Sequence, residues 1–258
     1  MRPRKRGAAT RPALDLRRAI EALRAHHGSP MPPPTSDPFE LVLWENVAYL
    51  ARPAGRRETF ELLKRKVGTA PAAILSASQE SLEAVTSQGI LKSTFAGKLR
   101  ESAEIAIDAF GGDLESGIRG SLEGAKRALR VFPGIGEPGA EKILLFAGRH
   151  PLLAPDSNGL RVLARLGFIR EEKSYSKTYA ASRSVTKSLP AKPVILQEAH
   201  LLLQQHGQTL CRRSSRRCDL CPLATECAHS LATEAADGSL LPAKSRRGAN
   251  GKPGPAMR

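Results

Sequence analysis

Residues 129–148 run LRVFPGIGEPGAEKILLFAG and read as a helix, a tight turn and a second helix. Gly134 and Gly136 flank Ile135 in the turn. Glycines tolerate positive φ, and without a Cβ they let backbone amides come close to a phosphate. A bare Gly-x-Gly is common between helices, so its setting gives it weight. Pro133 stands before the turn, Pro138 falls where the next helix opens, and Asp156 follows one helix and a short loop later.

Working outward, Pro and Gly cut the chain into further helical lengths. Asp37, Pro38 and Glu40 supply an N-cap, a first-turn proline and a first-turn acid, which predicts a buried helix over 38–50. Before it, 12–26 sets Leu14, Ile20 and Leu23 on one amphipathic stripe, and Pro30, Pro32, Pro33 and Pro34 form a linker. More helices fit 58–67, 71–75, 80–88, 95–110, 122–131, 138–147, 158–166, 174–187 and 194–205. No stretch alternates apolar and polar residues with β-branched or aromatic enrichment. The expected fold class is all-α.

The chain has 258 residues, of which 41% are hydrophobic, enough for one large domain or two small ones with a core that needs no disulfides. Its longest uncharged apolar run, Ile143 to Gly148, is far short of the roughly 18 to 20 residues of a membrane span. Forty Lys plus Arg against 25 Asp plus Glu give a net charge of +15, which excludes an acidic solvating or calcium-buffering protein. Residues 1–18 carry +6 and residues 238–258 carry +5, so the two ends hold 11 of the 15 charges. Such ends suit either a solvated tail or an arm on nucleic acid. Residues 1–20 are Arg-rich like an organelle transit peptide but lack the apolar stretch of a secretory signal, and they read as a basic arm. The mixture of Gly, Pro, Ala and basic residues over 231–258 predicts a disordered tail.

All four cysteines, Cys211, Cys218, Cys221 and Cys227, fall within seventeen residues in the pattern C-x6-C-x2-C-x5-C. Structural zinc also takes four thiolates, but its sites usually pair two short knuckles. Two disulfides are disfavoured in a chain of this size without a secretory signal. One C-x2-C with longer flanking gaps points instead to a four-cysteine iron–sulfur cluster.

The run HGQTLCRRSSRRCDLCPLATEC, residues 206–227, resembles the [4Fe–4S] cluster loop of the endonuclease III and MutY branch of DNA glycosylases. PGIG at 133–136 followed by Ala154-Pro155-Asp156 resembles the helix-hairpin-helix and Gly/Pro-Asp signature of the same superfamily. Asp37 to Leu41 is similar to the start of its first barrel helix, and Lys98 lies in a stretch resembling its GxxxxKA region. The resemblance covers about 37–229. It implies two helical domains with a cleft between them. A six-helix barrel carrying the hairpin would occupy 37–150 and an iron–sulfur domain 151–230, with the basic arm and first helix, 1–36, packed on the latter.

The resemblance implies base excision repair. The partner would be double-stranded DNA containing a damaged or mismatched base. The enzyme would be a monomer, cytoplasmic in a bacterium and associated with the nucleoid. Amides of Gly134, Ile135 and Gly136 would meet DNA, as would Arg212, Arg213, Arg216 and Arg217 between the first two cluster ligands; a solvated turn is the plainer reading of those arginines. Asp156 aligns with the family's aspartate, where a carboxylate stabilises a cationic sugar and orients water; it would also cap the helix that follows. The lyase lysine of bifunctional relatives is Pro138 here, so a monofunctional glycosylase is expected. The alternatives are a lyase using a displaced lysine, with Lys142 one turn on, and a non-catalytic DNA-binding homologue. The MutY-like catalytic glutamate falls on Asn46, or on Glu45 if the register shifts by one, and Tyr49, Leu50 and Ala51 replace the polar residues that relatives place in the DNA gap. Trp44 and Tyr49 could stack on an extruded base, although core packing suits Trp44 better. His206 before Gly207 resembles the family's turn ahead of the cluster.

Overall fold

The computed structural model describes residues 14–48, 53–87, 89 and 91–236. Among them there are helices and no strands, in line with the all-α expectation. The order is α1 (Leu16–His27), α2 (Pro38–Asn46), α3 (Pro53–Lys66), α4 (Pro71–Ser76), α5 (Gln79–Thr86), α6 (Lys92–Phe110) and α7 (Leu114–Gly117). There follow α8 (Leu122–Leu129), α9 (Glu137–Phe146), α10 (Ser157–Leu166), α11 (Tyr175–Thr186), α12 (Pro193–Thr209) and α13 (Ala228–Ala236), with 3-10 turns at Cys218–Leu220 and Ala224–Glu226.

Capping chemistry sets several boundaries that periodicity missed. The first helix begins at Leu16 rather than near 12 because the Asp15 carboxylate accepts from the Arg18 amide at 2.8 Å. Asp37 caps α2 as expected, accepting from the Glu40 amide at 2.8 Å. That helix stops at Asn46, short of 50, where the Asn46 side-chain amide donates back to Val42 O at 3.2 Å and out to Pro133 O at 3.1 Å. At the other end α13 continues past Leu231 to Ala236, because its alanines favour helix even where little apolar bulk is available. The basic ends at 1–13 and 237–258, and Tyr49, Leu50 and Ala51, lie outside the described residues.

Two apolar cores form. The first joins α2 to α9 through Phe39, Val42, Phe60, Leu99, Leu129 and Ile143. The second draws Leu16, Ile20 and Leu23 of α1 to Leu160 and Leu163 of α10, Leu196 and Leu203 of α12, and Leu223 and Cys227 beyond them. Helix α9 serves both, since Ile143, Leu144 and Phe146 face the first core while Leu145 enters the second. The hairpin's second helix is therefore the seam of the molecule. Helices α10 and α12 cross closely at Gly207, where a Cβ would come 2.8 Å from Asn158 O. That packing explains the glycine after His206. Among the described residues no helix is long and apolar enough to cross a membrane.

Candidate active site

The turn between α8 and α9 is held from behind by α2. Gly134 adopts φ +76°, and a Cβ there would lie 3.0 Å from Asn46 Oδ1 and 3.5 Å from Lys98 Nζ. Asn46 is thus a buried clamp on the hairpin rather than a proton donor in catalysis, consistent with an amide's lack of an acidic proton. The three turn residues are not equivalent. The Ile135 side chain is buried in the first core and its amide donates to Phe132 O at 3.2 Å, so it is not left to meet DNA. Among the described residues, the Gly134 and Gly136 amides have no protein acceptor. Positive φ and the close approach make Gly134→Ala costly, by roughly 1–3 kcal/mol. Removing the Asn46 side chain as well should relieve the steric part, so urea denaturation of Gly134→Ala, Asn46→Ala and the double variant is expected to show non-additivity.

A cavity of about 650 Å³ opens among α2, α3, α9 and α12. Trp44, Leu41, Phe146 and Leu201 give it apolar walls, and Glu45, Lys142, Arg56, His200, Gln204 and Gln208 give it polar ones. Of the two candidate positions on α2, Glu45 faces this cavity and Asn46 does not. Lys142 Nζ lies 2.6 Å from Glu45 Oε2, and Arg56 lies 3.9 Å from Glu45 Oε1 and 5.7 Å from the Trp44 ring centroid. Burial pushes the Glu45 carboxyl up, but the Lys142 and Arg56 charges override it and hold the group below the usual carboxylate range. Glu45 is therefore an anion at neutral pH, and the Lys142 amine is committed to it. Trp44 both lines the cavity and packs edge-on against Phe60 in the first core.

Asp156 caps α10, and four N–H groups converge on its carboxylate. Oδ1 accepts from the Asn158 and Gly159 amides at 2.9 and 2.8 Å; Oδ2 accepts from Asn158 Nδ2 at 3.1 Å and Gln204 Nε2 at 2.9 Å. Burial opposes ionisation, yet the Gln204, Gly159 and Asn158 donors hold the carboxyl below its ordinary range. Capping and a role in chemistry are compatible here. Asp156 does not itself line the cavity; it reaches the wall through Gln204.

From Asp156 a polar chain leads to the cysteine loop. Arg161 donates to Asn158 Oδ1 at 2.8 Å, to Gly207 O at 2.7 Å and to Cys211 O at 2.9 Å. Arg165 donates to Cys211 O at 3.1 Å and lies 3.3 Å from Cys211 Sγ. The four cysteines form no disulfide with one another and surround one cavity, which Arg165, Arg216, Arg217 and His206 also line. His206 bridges His27 at 3.1 Å and Cys221 Sγ at 3.5 Å, joining α1 to this region. Burial, with the charges of His27 and His26, lowers its pKa to about 4. The donor set suits a soft centre in number and type, and the guanidinium groups suit an anionic one. Among the described residues no three His, Cys, Asp or Glu groups converge on a single-ion site. Arg212, Arg213, Arg216 and Arg217 are exposed, and Arg212 Nε donates to the carbonyl of Gln208, a residue of the main cavity wall. The arginine loop thus adjoins the rim of that cavity.

Sequence reasoning missed His200, Gln204 and Arg161. Their signal was polar residues on the inward face of the otherwise apolar α12, or a basic residue inside α10, and only contact with Asp156 and Cys211 makes them informative.

The fold is that of endonuclease III and of a thermostable thymine-DNA glycosylase. In a trapped covalent intermediate of endonuclease III with DNA, the protein superposes with a TM-score of 0.68 at 20% identity, covering 84% of this chain and 96% of that one. A thermostable thymine-DNA glycosylase gives 0.67 at 15% identity, covering 84% and 97%. In sequence, the chain is 27% identical over 155 residues to a thymine/uracil-DNA glycosylase of Pyrobaculum aerophilum, a match spanning 60% of this chain and 64% of that protein. The chain therefore matches a little under two thirds of that relative's length. No protein-family model matches it.

Proposed function

We propose that this protein is a monofunctional DNA glycosylase, which takes a damaged or mismatched base out of duplex DNA and hydrolyses its N-glycosidic bond. The observation that carries the reading is the tie between Asp156 and the wall of the 650 Å³ cavity, through Gln204, on an endonuclease III fold. The glycosylase relatives support it. In this reading the free Gly134 and Gly136 amides hold a DNA phosphate, the cavity receives the base, and Asp156 stays outside it at the sugar. An ionised carboxylate there stabilises the developing cationic sugar and orients the attacking water. Strand cleavage by a lyase needs a free amine. Pro138 has none, and Lys142 is paired with Glu45.

We further assign Cys211, Cys218, Cys221 and Cys227 to a [4Fe–4S] cluster, which when bound would crosslink the loop between α12 and α13 as a structural centre. Elemental analysis of protein purified without oxygen is expected to find iron and acid-labile sulfide; zinc alone would overturn the assignment. Arg212, Arg213, Arg216 and Arg217 are assigned to DNA phosphates. Single alanine substitutions should weaken binding evenly across sequences and lower the salt slope by about 1 for each phosphate no longer neutralised.

The functional test uses duplexes that each carry one lesion or mismatch, incubated with the protein and then treated or not with hot alkali. Strand breaks only after alkali are expected. Breaks without alkali would reinstate a lyase, and intact strands from every duplex would favour a protein that binds without cleaving.

A further inference from the structure

His200 is 2% exposed and stands in the wall of the main cavity, one helical turn before Gln204 on α12. Its Nδ1 lies 2.7 Å from Ala154 O. A carbonyl only accepts, so Nδ1 carries the proton in this contact. Burial pushes the imidazole pKa down, so the ring is neutral at physiological pH and Nε2 is a bare acceptor. No protein group among the described residues pairs with Nε2, and it is not among the sealed buried atoms. The ring stands edge-on to Phe146, 5.4 Å between centroids, which fixes its plane.

Two neighbours define what this acceptor faces. Gln204 reaches out to Asp156, on the side assigned to the sugar. His200 makes no bond to Asp156 and shares the cavity with Trp44, Phe146 and the Glu45–Lys142 pair, where a base would lie. Pockets of this kind are mostly apolar with a few polar groups that fix orientation. Building on the glycosylase reading, we propose that His200 is a specificity-determining residue. Its Nε2 accepts a hydrogen bond from a ring N–H of the extruded base. Bases that present this N–H are taken, and their N-methylated counterparts are refused. A base without the N–H would leave Nε2 unpaired and cut off from water, the kind of mismatch that sites discriminate against most strongly.

The test uses duplexes carrying uracil, hypoxanthine or 8-oxoguanine, each beside its N-methylated counterpart, with an abasic-site analogue as a binding control. His200→Asn keeps an amide within reach of Ala154 O but lacks the distal acceptor; His200→Gln places an oxygen near the Nε2 position. Wild type should prefer the N–H base by at least about 100-fold in kcat/KM. His200→Asn should lose most of that preference with unchanged affinity for the abasic analogue, and His200→Gln should restore part of it. Equal processing of the N-methylated base by wild type would overturn the proposal, as would an unchanged preference in His200→Asn. Release only of bases without a ring N–H would overturn it too. If wild type releases no base from any duplex, the glycosylase reading itself fails, a result distinct from release with unchanged preference.

Discussion

Asp156→Asn is expected to lower base release by about 10²- to 10⁴-fold while leaving affinity for an abasic-site analogue unchanged. The substitution isolates charge from architecture. An asparagine oxygen can still accept from the Asn158 and Gly159 amides, so the cap on α10 survives. What disappears is the negative charge, together with an acceptor for Asn158 Nδ2 and Gln204 Nε2. Single-turnover rates on the substrate found in the duplex screen, paired with binding to the abasic analogue, measure both quantities. Equal loss of binding and rate would make Asp156 a structural cap and nothing more. The pH dependence follows from the same carboxylate. Its folded pKa is depressed below its ordinary value, so its stabilising contribution is fully present above the unfolded value and is lost as pH falls through the folded one. Base release that depends on ionised Asp156 should therefore keep its acid limb below the ordinary carboxylate range.

Glu141→Ala is expected to destabilise the protein by about 1–3 kcal/mol. Glu141 on α9 has a side chain only 4% exposed and lies 3.3 Å from Lys126 Nζ on α8, whose side chain is 5% exposed. Arg183 and Tyr179 on α11 lie 2.8 Å and 2.5 Å from its two oxygens. Burial and the Glu141 carboxylate raise the Tyr179 pKa, which keeps the hydroxyl protonated as a donor. Lys126 keeps Glu137 at 2.7 Å and Glu123 at 3.1 Å, and Arg183 keeps Glu137 at 2.6 Å, so what removing the acid leaves without an acceptor is the buried Tyr179 hydroxyl. A Lys126→Met, Glu141→Leu pair, which replaces both charges with apolar volume, should cost much less than the sum of the two alanine variants, as read by chemical denaturation. Because the group joins both hairpin helices to α11, Glu141→Ala should also weaken DNA binding. Unaltered binding in a folded variant would show that the hairpin keeps its place without this group.

Much of the local chemistry was legible in the residues themselves. Asp37, Pro38 and Glu40 announced α2, and Asp156 announced the start of α10, because a cap satisfies backbone amides only a few positions away. The hairpin glycines and the cysteine spacing could be read for the same reason. Long-range pairing could not. Whether Glu45 or Asn46 faces the cavity depends on how α2 is turned against α9, and sequence left that choice open by one residue. The fate of Lys142 depends on Glu45, 97 positions away, and the surroundings of Asp156 depend on Gln204, 48 positions away.

By itself, then, the sequence determined the helical class, the helix starts that side chains cap, the hairpin and the grouping of four thiols, all consequences of interactions over short stretches of chain. Tertiary structure decided which polar residues enter the cavity among α2, α3, α9 and α12. It committed Lys142 to Glu45, made Asn46 a clamp, withdrew Ile135 from the surface and turned His200 toward the cavity. Burial and charge pairing set those roles, and both depend on which helices meet.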